Sequence, residues 1–82
     1  MNPIDKAKEI CEKIHNKFPQ VKIWINLYNH DINDLAILID NEKVFESQEY
    51  ADFIVNIMDE IEEYDICFSC RYALSNDAIE VY

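Results

Sequence analysis

Apolar residues fall along the chain in two rhythms. Ile4, Ala7, Cys11, Ile14 and Phe18 recur at steps of three and four, with Ile10 widening the stripe, which is the spacing of one helix face. Asn2 stands where an N-cap belongs, Pro3 suits the first helical position, and Pro19 bars continuation, so the spacing predicts a helix over residues 3–18. From Val21 the period drops to two. Val21, Ile23, Ile25 and Leu27 alternate with Lys22, Trp24, Asn26 and Tyr28, describing a strand with one buried face. Residues 29–34 are rich in turn formers and return the chain into the apolar run 35–39, which predicts a hairpin.

The same order then repeats. Ser47 is placed to cap a second helix whose stripe is Tyr50, Phe53, Ile54, Ile57, Ile61 and Tyr64. Ile66, Phe68, Cys70 and Tyr72 alternate with Cys67, Ser69, Arg71 and Ala73, and Ser75, Asn76 and Asp77 form a turn into residues 78–82, a second hairpin. Ile10/Ile14 and Ile57/Ile61 occupy equivalent helix positions, so the chain reads as a pseudo-repeat, 1–40 and 47–82, within one domain of residues 1–82. The expected fold is α+β in αββαββ order. It is a two-layer sandwich whose four-stranded, mostly antiparallel sheet carries both helices on one face. Moving the first strand of a ferredoxin-like βαββαβ chain to its end gives this order.

That fold leaves one sheet face for Trp24, Tyr28, Leu38 and Tyr82, beside Lys22, Asn26, Arg71 and Glu80. Either loops or the C-terminal residue lie across these side chains, or they form a protein-binding or homodimer face.

Length and composition narrow the class. Eighty-two residues make one modest core, and no apolar run approaches membrane-span length. Three cysteines, Cys11, Cys67 and Cys70, are too few for a disulfide scaffold, and residues 1–5 lack a basic and apolar leader. The expected location is therefore the cytoplasm, that of the host cell for a phage-encoded chain. Glycine is absent, while isoleucine and asparagine are frequent and Arg71 is the only arginine, a bias typical of AT-rich coding. Without glycine there is no P-loop, dinucleotide fingerprint or nucleophile elbow.

Other catalytic chemistry finds no constellation either. Neither His15, beside the first apolar stripe, nor His30, in the turn, has a local partner to orient it. Cys67-Phe68-Ser69-Cys70 spells CxxC, but residues three apart on a strand point to opposite faces, so the pair reads as structural. The chain is expected to be non-enzymatic, with no metal site and no cofactor.

Charge is the outlying quantity, at −10. Residues 1–22 hold five basic and three acidic groups, net +2, whereas residues 23–82 hold two basic and fourteen acidic groups, net −12. A surface this negative repels phosphate backbones and anionic lipid, so direct binding to nucleic acid or membrane is not expected. The second helix is the focus. Glu49, Asp52, Asp59, Glu60, Glu62 and Glu63 all avoid its apolar stripe, and the last four crowd the negative end of the helix dipole. On a continuous helix, Asp52, Asp59 and Glu63 share one side at about 10 Å and about 6 Å along the axis, intervals comparable to phosphate spacing.

A local rule broken without compensation points to function. These carboxylates, anchored further by Trp24 and Tyr28, suit a basic protein partner whose Arg and Lys normally hold phosphates. In size, charge and composition the chain resembles, in general character, anti-CRISPR or anti-restriction DNA mimics encoded by phages and mobile elements. The expected function is an inhibitor that blocks a nucleic-acid-binding enzyme. An immunity protein for a basic nuclease toxin, or a homodimeric module joined through its sheet face, are the alternatives.

Overall fold

Asn2 opens the first helix: its side-chain oxygen accepts the Asp5 backbone N–H at 2.9 Å, and α1 runs Pro3–Lys17. The computed structural model describes residues 2–27, 35–64, 66–70 and 78–82. β1 (Ile23–Leu27) pairs antiparallel with β2 (Leu35–Ile39), Ile23 facing Ile39 and Leu27 facing Leu35. The connecting turn, with Tyr28 and His30, lies outside the described residues. Then comes a short helix that periodicity does not reveal, α2 (Glu42–Phe45), capped by the Asn41 side chain on the Val44 N–H at 3.1 Å. Ser47 caps α3 (Gln48–Met58) on the Tyr50 N–H, while its own hydroxyl donates to the Val44 carbonyl at 2.6 Å and ties the two helices together. β3 (Ile66–Cys70) and the short β4 (Ile79–Glu80) complete the elements.

The fold is α+β, with a four-stranded mixed sheet in the order β3-β2-β1-β4. β1 pairs antiparallel with β2 and β4, and β2 pairs parallel with β3. Two expectations change here. β3 and β4 occupy opposite edges, so they do not form a second hairpin, and the parallel β2–β3 pair departs from the all-antiparallel sheet of a permuted ferredoxin-like chain. The cause is the connection. Parallel neighbours need a long crossover, and residues 40–65, with α2 and α3, supply one.

One sheet face carries the main core. Ile23, Ile25, Leu35, Ile37 and Ile39 pack with Ile10, Cys11 and Ile14 of α1 and with Tyr50, Ile54 and Ile57 of α3, so both long helices cover the same face. Phe18 sets its ring edge-on to Tyr50 and Phe53, with centroids 5.6 and 5.9 Å apart, and closes the seam between the helices. Burial pushes the Cys11 thiol up to about 12, which makes it an inert core residue. Cys67 is exposed and Cys70 buried, and all three cysteines are free.

Of the two expectations for the opposite face, covered or open, its centre follows the covered one. Asn26, Ala36 and Leu38 are 0 % exposed, and Trp24 is half-buried between Leu38 and Glu80 of the neighbouring strands. Leu35-Ala36-Ile37-Leu38-Ile39 is apolar at every position, as suits an interior strand buried on both faces. Tyr82 is not on that face either. Its ring stacks on His15 of α1, with centroids 4.2 Å apart and planes within 9°.

Candidate functional site

Tyr50, Ile54 and Ile57 turn one side of α3 into the core, which commits its other positions to solvent. Measured from Tyr50 at about 100° per residue, Met58 lies at about 80°, Val55 at about 140° and Asp59 at about 180° around the axis. Val55 is 65 % exposed and Met58 51 %. The helix stops at Met58, six residues before the last apolar position of its stripe. Three carboxylates following Asp59 are unfavourable at the negative end of a helix dipole. The chain instead winds through tighter bonds, from the Glu60, Ile61 and Tyr64 N–H groups to the carbonyls of Ile57, Met58 and Ile61, at 3.0, 3.1 and 2.9 Å. That geometry keeps Ile61 buried and spreads Asp59, Glu60, Glu62 and Glu63 around an exposed turn.

The expected straight row of helical carboxylates is therefore corrected. Asp52 is on α3, Asp59 is its C-cap, and Glu60, Glu62 and Glu63 lie beyond the helix. Nor are the six equivalent in charge. Glu60 receives the Lys13 ammonium on both carboxylate oxygens, at 2.6 and 2.8 Å, with Lys6 at 4.0 Å. Glu9 of α1 approaches both lysines, so two cations and two anions cancel. The Lys13 hydrogen bond, helped by the charges of Lys13 and Lys6, holds the Glu60 carboxyl below its usual range. Glu49 pairs with Lys17 at 3.7 Å, and Asp52 accepts the Gln48 amide at 2.8 Å.

Asp59, Glu62 and Glu63 remain. All three are exposed, and among the described residues none has an ion pair. With Glu60 they line a surface depression of about 460 Å³. A second depression, of about 360 Å³, shares Asp59 and Glu62 and adds Met58, Ile61, Tyr64 and Ile66. The structure thus joins carboxylates to an apolar groove, which the acidic pattern alone does not disclose. Its signal in the sequence is Val55 and Met58, apolar residues lying off the helix's own core stripe.

The two aromatic anchors do not join this site. Trp24 is on the sheet face opposite the helices, and Tyr28 lies outside the described residues. No group of three or more His, Cys, Asp or Glu side chains among the described residues is arranged to hold a metal, and no helix there is long and apolar enough to cross a membrane. Comparison of the chain with protein-family models, curated proteins and solved structures finds no match in any of the three.

Proposed function

We propose that this chain is a small non-enzymatic binding protein that docks on a basic protein partner through Asp59, Glu62 and Glu63. One observation carries the reading: α1 lysines neutralise Glu60 and Glu49, while these three exposed carboxylates have no cation of their own among the described residues. Unpaired surface charge of one sign steers a complementary partner and accelerates encounter. The partner class is a nucleic-acid-binding enzyme or nuclease whose Arg and Lys side chains engage phosphates. Occupying them would make the chain an inhibitor of the anti-CRISPR or anti-restriction kind, or an immunity protein for a nuclease toxin. Burial of Asn26, Ala36 and Leu38 takes support from the alternative of a homodimer through the sheet face.

The test compares two variants as bait in a lysate of infected or native host cells. D59N/E62Q/E63Q should lose capture of basic nucleic-acid-binding proteins, and duplex DNA should displace those proteins from the wild-type chain. E49Q/E60Q should retain capture. Equal capture by wild type and the triple variant would overturn the proposal.

A further inference from the structure

Resting on that reading, we infer that the groove beside the carboxylates takes an amphipathic basic segment of the partner, one apolar side chain seated among Met58, Ile61, Tyr64 and Ile66. Ile61 is buried and forms the floor, Tyr64 and Ile66 are half-buried walls, and Met58 stands half-exposed at the lip, with Val55 continuing the apolar surface one turn back along α3. Asp59 and Glu62 line the same groove. An apolar side chain entering it thus brings its flanking residues against two carboxylates, and the complementary flanks are Lys or Arg.

A wholly polar polycation would leave Met58 and Val55 in water and gain nothing from them. An apolar segment without cations would bury its neighbours against uncompensated negative charge. Neither matches the mixed lining, which selects one anchor with basic flanks.

A second copy of the chain is a poor occupant. Four of its six lysines, Lys6, Lys13, Lys17 and Lys22, are already paired with Glu9, Glu60, Glu49 and Glu80, which among the described residues leaves only Lys8 and Lys43, far apart in sequence, and two copies bring −10 against −10. An anionic lipid surface is repelled for the same reason.

Two synthetic 14-residue peptides with equal numbers of lysines test the inference by fluorescence anisotropy. One places leucines at helical spacing and the other has serine in their place. The wild-type chain should bind the leucine peptide about tenfold more tightly, ~1.4 kcal/mol. V55S/M58S, altering only exposed side chains, should erase that preference and leave the serine peptide's affinity unchanged. Amide shifts induced by the leucine peptide should centre on Met58, Ile61, Tyr64 and Ile66.

Equal affinity for the two peptides, no binding of either, or an unchanged preference in V55S/M58S would overturn the inference. The carboxylate reading fails separately, if D59N/E62Q leaves both affinities as they were.

Discussion

Glu60 and Glu62 are two positions apart and experience opposite environments. Glu60 points back to α1, where Lys13 binds both its oxygens, while Glu62 faces water in the groove. Sequence places both in one acidic run. It cannot show which of them faces Lys13, 47 positions earlier than Glu60, because that depends on how the chain winds after Met58. The Glu60 pairing has a pH signature. Its carboxyl is held below the ordinary value of 4.5, so the folded state favours the ionised form. The stabilisation is therefore present above that value and is lost as pH falls through the lowered one. Carboxyl NMR titration should find the Glu60 midpoint below the ordinary value of 4.5. In Lys13→Ala the midpoint should rise toward the ordinary range, and an unmoved midpoint would contradict the pairing.

At the scale of elements, beginnings are more legible than ends. Asn2 and Ser47 cap α1 and α3 as their side chains predict, because a cap is local and needs only three residues to act. The end of α3 is hidden because Ile61 and Tyr64 keep helical spacing after the helix has stopped. Periodicity registers that a residue points inward, and a tight turn can achieve this as well as a helix. The four carboxylates of residues 59–63 oppose the negative end of the α3 dipole, so reversing the unpaired ones should strengthen that end. D59K/E62K brings net charge from −10 to −6, each reversal adding two, and places cations where the helix dipole favours them. Thermal unfolding should show a gain of about 0.3–1 kcal/mol for the residue nearest the helix, Asp59, with less from Glu62. The same variant should lose the basic partner. Stability rising while binding falls distinguishes a functional acidic site from one that serves only solubility, for which binding has nothing to lose.

Across the whole molecule, secondary structure is far more legible than topology. Apart from the short α2, the alternation of helix and strand follows from periods of 3.6 and 2, yet nothing local states that β3 runs parallel to β2 or that β4 joins β1 at the far edge. Strand partners are chosen by which apolar faces must be covered together, a property of the complete core. One clue does stand in the chain: residues 35–39 are apolar without interruption, whereas β1 alternates. An uninterrupted run marks a strand buried on both faces, and that already argues against an open second face. Leu38 decides the matter experimentally. At 0 % exposure, Leu38→Ala should cost about 2–5 kcal/mol, as for a cavity in any close-packed interior. Val55→Ala, at 65 % exposure, should stay within about 0.5 kcal/mol. Urea unfolding of the two variants measures both. If Leu38→Ala were as mild as Val55→Ala, the far face would be open, and the surface available to a partner would extend across the sheet as well as around the end of α3.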